Sequence, residues 1–193
     1  IGVLDCHLQL GKVYKQMGVY DQAINYFKKS LDSVSKTEDQ KRVTKIMNQI
    51  GNVYIKIGEY DKALQFYKKS QDIKKDIDDY KGIGYSILGE ARINSWYGNY
   101  LLPEKQLNKC IKLGVKYNQP KLVSDSRYLL STIFLNKYKY DDSMQEINLA
   151  IDIASNEKMH DRLAKFYDCK GLIYKFMGRL DAVSYTHLTL PTK

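Results

Sequence analysis

The chain has 193 residues, 44% of them hydrophobic and 27% charged, with a formal net charge of +9. This balance is that of a globular protein and not of a disordered or membrane one, and no apolar stretch reaches the ~18 residues that a membrane-spanning helix needs. The positive excess is almost all lysine, spread over helix faces at Lys28, Lys29, Lys68, Lys69, Lys74 and Lys75 with carboxylates between, so it reads as solvated surface and not as a nucleic-acid patch.

Residues 10–30 read LGKVYKQMGVYDQAINYFKKS, residues 50–70 read IGNVYIKIGEYDKALQFYKKS, and ten of these 21 positions are identical. In the second copy apolar residues fall at helical spacing twice, at Ile50, Val53, Tyr54 and Ile57, then at Tyr60, Ala63, Leu64 and Tyr67. Gly58-Glu59 separates the two runs. The unit is a pair of amphipathic helices joined by a tight turn. One pair cannot bury its apolar faces alone, so repetition predicts a stack of pairs with a shared core.

The 40-residue register predicts first helices over roughly 2–17, 41–57, 81–97, 121–137 and 161–177 and second helices over roughly 21–35, 61–76, 101–116 and 141–155. A small residue recurs in the first helix as Gly11, Gly51, Ala91, Ser131 and Gly171. Three positions on stand Tyr14, Tyr54, Asn94, Phe134 and Tyr174. The turn position holds Gly18, Gly58, Gly98 and Gly178, with Tyr138 once, which fits a left-handed helix cap. Asp21, Asp61, Asp141 and Asp181 then suit a helix N-terminus. A second small position holds Ala23, Ala63, Pro103 and Ser143. Close helix crossing predicts Gly11 and Gly51 facing Ala23 and Ala63, with the large aromatics filling the space between hairpins.

These residues resemble the tetratricopeptide repeat family, whose Leu-Gly-x-x-Tyr, Gly-x-Tyr-x-x-Ala and aromatic pattern is nearly complete at residues 10–27 and 50–67. The resemblance covers residues 1 to about 182 and implies an all-α, right-handed superhelical solenoid of antiparallel helix hairpins, about 4.5 repeats long. Repeats fall at about 1–39, 40–79, 80–119, 120–159 and a truncated 160–182. The period of 40 places the chain with the longer-repeat bacterial subtype. The six residues beyond the usual period of about 34 are expected in loops at 35–40, 77–81, 118–121 and 156–161. The third repeat departs from the pattern at Glu90, Asn94, Leu101 and Pro103, a local distortion of the stack. Residues 183–193, VSYTHLTLPTK, break the helical pattern and resemble a translated sequencing adapter, so His187 carries no function.

Cys6, Cys110 and Cys169 are odd in number and widely spaced, so they are expected as free, mostly buried thiols. His7 and His160 have no partner at metal-ligand spacing, and no phosphate-binding glycine motif occurs. The acid pairs Glu38-Asp39, Asp78-Asp79 and Asp141-Asp142 are explained by loops and caps. No catalytic residue, cofactor or metal is assigned, and the chain is expected not to be an enzyme.

Binding is expected from the first-helix face. Its polar residues turned away from the hairpin contact are Lys12, Gln16, Lys45, Asn48, Asn52, Lys56, Arg92, Ser95 and Trp96. Asn48 and Asn52, one turn apart, suit the backbone of an extended peptide, and the cations favour an acidic partner. The carboxylate clamp of chaperone-adaptor members is not reproduced, because Leu8 and Lys12 occupy the matching positions. The resemblance implies a protein- or peptide-binding scaffold, the sensory or interaction portion of a larger bacterial signalling protein. The alternatives are a stand-alone quorum-sensing-type peptide receptor and the non-catalytic part of an enzyme. The chain begins at Ile1 inside a repeat, which leaves room upstream for a signal peptide or membrane helix; the compartment is open, with the cytoplasm favoured. The truncated last hairpin leaves an apolar face from which self-association is expected.

Overall fold

The structure, a computed structural model, describes residues 3–35, 39–98 and 100–178. The expected tail at 183–193, with Leu180 and Asp181, lies outside the described residues. Among the described residues the chain is all helical: α1 (Val3–Gln16), α2 (Tyr20–Ser35), α3 (Gln40–Lys56), α4 (Tyr60–Asp76), α5 (Tyr80–Trp96), α6 (Leu101–Lys116), α7 (Pro120–Asn136), α8 (Tyr140–Asn156) and α9 (His160–Phe176). Every boundary lies within one or two residues of its predicted place. None of these helices is long and apolar enough to cross a membrane.

The extra residues of the long period are not in loops, as expected, but in the helices. Two 17-residue helices and two three-residue turns fill one period at α4 and α5. Short turns suffice because each reverses the chain through one left-handed residue. Gly58 takes φ 82°; its N–H bonds to the Ile55 carbonyl at 3.2 Å, and the Glu59 N–H bonds to that of Tyr54 at 2.9 Å. The described turns between hairpins repeat this geometry with Asp78 (φ 54°), Asn118 (φ 49°) and Lys158 (φ 53°), a second left-handed position in their periods.

N-capping also differs from expectation. Asp21, Asp61 and Asp141 sit in the first turns of α2, α4 and α8, where their charge suits the helix dipole as expected, but they are not the N-cap residues. The side-chain caps are Asp39 and Asp79, which accept from the N–H groups of Arg42 and Gly82, each at 3.0 Å, at the starts of α3 and α5.

The chain divides into two compact units, residues 1–97 and 98–193, with the division at the turn of the third repeat. In unit 1, α2 packs on α1 and α3, α4 packs on α3 and α5, and α3 touches α5, so the first helices share one layer. Phe27, Ile46, Ile50, Val53, Ala63 and Ile93 are completely buried there, and Tyr67 nearly so. The nearest side-chain atoms to the small residues of this layer are those of rings. A Cβ on Gly11 would meet the Phe27 ring at 2.5 Å, and one on Gly51 would meet the Tyr67 ring at 2.9 Å. The helices therefore approach over an aromatic wedge, each ring burying enough area to contribute several kcal/mol, about 2–3 by transfer. Tyr14 and Tyr54 stack within their own hairpins on Tyr26 and Phe66, with centroids 5.3 and 5.7 Å apart, and belong to or pack against the core cluster of unit 1.

In unit 2, α7 packs on α6 and α8, and α9 packs on α8 and reaches α7. Here the expected small-on-small contact does form. The Ser131 hydroxyl donates to the Ser143 carbonyl at 2.9 Å, and Ser143 returns a bond to the Ser131 carbonyl at 2.8 Å. Arg162 of α9 clamps Asp125 of α7 with two bonds of 3.0 and 3.1 Å, and Arg127 pairs with Glu146 at 2.8 Å. Cys110 and Cys169 are buried free thiols, whereas Cys6 is exposed. Burial pushes the Cys169 thiol up from its ordinary pKa.

Candidate partner-binding face

The register gives each first helix of unit 1 the same two outward positions, four residues apart and thus one above the other on a helix face. They hold Lys12 and Gln16 on α1, Asn52 and Lys56 on α3, and Arg92 and Trp96 on α5. Gln16 and Lys56 are exposed, whereas Lys12, Asn52 and Arg92 are half-buried. Lys45 is exposed one turn or more toward the start of α3. Lys12 donates to Gln9 at 3.5 Å. None of Lys12, Lys45, Lys56 and Arg92 forms an ion pair with another described residue, so this face carries positive charge without an internal counter-ion.

Trp96 is 51% exposed, and its ring lies 4.9 Å from that of Tyr60. Tyr97 is 60% exposed and meets the same Tyr60 edge-on at 6.3 Å. Tyr60 is expected from the sequence only as an apolar packing residue of its helix, and Tyr97 carries no expectation; neither is among the expected binding residues.

Three expected site residues serve the framework. Asn48 is only 8% exposed, and its Oδ1 accepts from the Ser86 hydroxyl at 2.9 Å across the contact of α3 and α5. Within unit 1 its register position is a packing one, filled by Leu8 in α1 and Leu88 in α5. Ser95 is 8% exposed and donates to the Arg92 carbonyl of its own helix at 2.7 Å. Asn52 keeps an outer edge, but its Oδ1 receives the Tyr67 hydroxyl at 2.9 Å. Burial pushes the Tyr67 phenol well above its ordinary pKa, and the nearby Arg92 charge partly offsets this.

Below this face lies a buried polar cluster. Lys74, expected as solvated surface, is 2% exposed. Its position in the register is held elsewhere by Val34, Gly114 and Ala154, all buried, and that column is the signal that places it inside. Its Nζ donates to Ser70 at 2.9 Å and to Ser86 at 2.7 Å, while Ser70 donates to the Thr44 carbonyl at 3.2 Å and Ser86 to Asn48. Desolvation lowers its pKa to about 8; Asp79 acts against that and Lys45 with it. Among the described residues no three His, Cys, Asp or Glu side chains gather to hold a metal.

Residues 4–76 match the family model described as tetratricopeptide repeat. These residues are tetratricopeptide repeats (TPRs). From residue 77 onward the same 40-residue register and helix-hairpin geometry continue through α9. Solved structures of low identity share the fold. The crystal structure of BtubC from P. vanneervenii is 16% identical with a TM-score of 0.72, over 92% of this chain and 74% of that one. The apo form of RapI is 16% identical with a TM-score of 0.75, over 95% and 69% of the two chains. TPR-like repeats of a putative kinesin light chain from Podosopora anserina are 13% identical with a TM-score of 0.65, over 97% and 92%. No curated protein sequence matches the chain. A TPR array is an interaction scaffold: each repeat supplies a strip of a continuous surface, and partners are proteins or peptides.

Proposed function

We propose that the first-helix face of unit 1 binds an extended acidic segment of a partner protein, and that the chain acts as the interaction portion of a signalling protein. The supporting observation is a run of cations that form no ion pair with another described residue on three successive TPR first helices, Lys12 and Arg92 at one outward register position and Lys56 at the other, with Trp96 open beside Arg92. Aromatic and arginine side chains dominate binding energy at protein surfaces, and uncompensated positive charge favours an acidic partner over others. Asn48 and Ser95 support this face from beneath and do not contact the partner.

Trp96 is the chain's single tryptophan, so its fluorescence reports occupancy directly. The test titrates the chain with an acetylated peptide of alternating glutamate and alanine carrying one central phenylalanine, and with its glutamine counterpart. The acidic peptide shifts Trp96 emission and weakens as salt rises, and Arg92→Ser lowers its affinity about tenfold. Equal binding of the glutamine peptide, or an emission spectrum that neither peptide changes, overturns the reading.

A further inference from the structure

Among the turns inside hairpins, Tyr138 occupies the one position that glycine does not hold. Gly18, Gly58, Gly98 and Gly178 take φ of 74° to 82° there, and Tyr138 takes φ 58° in the same left-handed region. A side chain with a Cβ enters this region at a cost, and a bulky one rarely. Packing does not compensate, because Tyr138 is 79% exposed. A strained, solvent-facing ring is a reason to look for what it contacts.

It lines a cleft of about 470 Å³ within unit 2, with Tyr140, Phe176 and Met177 as the other apolar walls. Tyr140 and Phe176 are nearly parallel, with 4° between their planes and centroids 6.4 Å apart, and Phe176 is 57% exposed. The remaining wall is charged: Lys139, Asp141 and Asp142. Lys139 is matched by Asp142 at 3.9 Å, and Asp141 has no ion pair with another described residue, so the cleft keeps one negative charge in excess. Asp141 also faces the α8 dipole, as its register counterparts Asp21 and Asp61 face theirs. Asp142 has no such counterpart, since Gln22, Lys62 and Leu102 stand at its position.

Ring faces carry a negative quadrupole, and ring faces beside a carboxylate favour a cation, a planar one most of all. We propose that the cleft formed by Tyr138, Tyr140, Asp141, Asp142 and Phe176 binds an arginine side chain of a partner protein. The guanidinium lies against the rings and donates to Asp141. The site is independent of the acidic-segment face of unit 1, and its ligand has the opposite charge.

The experiment follows backbone amide shifts of the full chain during titration with N-acetyl-arginine methylamide to about millimolar concentration, with the citrulline compound as neutral isostere. Saturating shifts centred on residues 138–142 and 176–177, at least fivefold weaker for citrulline, are expected. Tyr138→Gly relieves the backbone and removes the ring, so it loses arginine binding at least fivefold while its Tm stays equal or rises. An equal response to citrulline, no saturating shift at these residues, or a Tyr138→Gly chain that keeps its affinity would overturn the proposal. So would a fall in Tm for that variant, which would make the ring a packing element.

Discussion

Lys74 of α4 donates to the hydroxyl of Ser86 on α5 at 2.7 Å, inside unit 1 and without a carboxylate in hydrogen-bonding range. The two serine hydroxyls send their own protons to Thr44 and Asn48, so two N–H bonds satisfy the cluster and the third proton of the ammonium has no acceptor in it. The folded chain releases the Lys74 proton near pH 8, whereas the unfolded chain holds it to an ordinary value of 10.5. Between these values the unfolded state binds more protons, and stability rises with pH. Urea midpoints are expected to increase from pH 7.5 to 9.5, by up to about 2 kcal/mol in unfolding free energy, and Lys74→Met is expected to flatten that slope. Above pH 10 the rise reverses, because Tyr67 stays protonated in the folded chain while unfolded tyrosines ionise. A midpoint unchanged across this range would place Lys74 in contact with water.

The caps give a second test. Asp39→Ala removes one bond to the Arg42 N–H and is expected to cost about 1 kcal/mol. Asp79→Ala removes the equivalent bond to Gly82 and also the carboxylate that favours the Lys74 ammonium. Its cost is therefore expected to exceed that of Asp39→Ala below pH 8 and to converge with it near pH 10, read from thermal unfolding followed by circular dichroism.

Tyr67 lies between two glycines, and a Cβ on Gly89 would come within 2.3 Å of its ring. Gly89→Ala is expected to destabilise unit 1 by about 1–3 kcal/mol despite alanine's better helix propensity. Tyr67→Leu opens the space, so Gly89→Ala should cost less in that background. A double-mutant cycle with no coupling would mean that the ring moves aside freely.

Asp125→Asn should weaken the Arg162 clamp between α7 and α9, whose side chains are 19% and 15% exposed. With that partial exposure discounted, a loss of about 1–2 kcal/mol is expected. The effect should persist in high salt, unlike that of the exposed Lys75–Asp72 pair, and salt-dependent unfolding of both variants measures the difference.

The hairpin architecture was legible in the sequence because it rests on large and small residues recurring at one interval, from Gly11 and Tyr14 through Gly171 and Tyr174. Contacts between columns were less legible. The ring atoms nearest the glycines belong to Phe27 and Tyr67, sixteen residues along the chain, a pairing of columns that the repeat itself does not spell out. Lys74 and Asn48 carry residue types that ordinarily face water. Only their register positions, shared with Val34, Ala154 and Leu88, show that they are inside. Trp96 and Arg92 could be found by polarity and spacing, whereas Tyr138 could be found only by asking why one turn lacks its glycine.

Three-residue connections at 57–59, 77–79 and 137–139 have a wider consequence. One residue added to such a turn removes the left-handed cap, and one added to a helix turns everything after it by about 100°. Either change would face the wrong stripe toward the neighbouring layer. Length in this architecture is therefore quantised: a chain of this kind grows or shrinks by duplicating or deleting whole 40-residue modules, and single-residue insertions should be tolerated far less well than the loss of an entire hairpin.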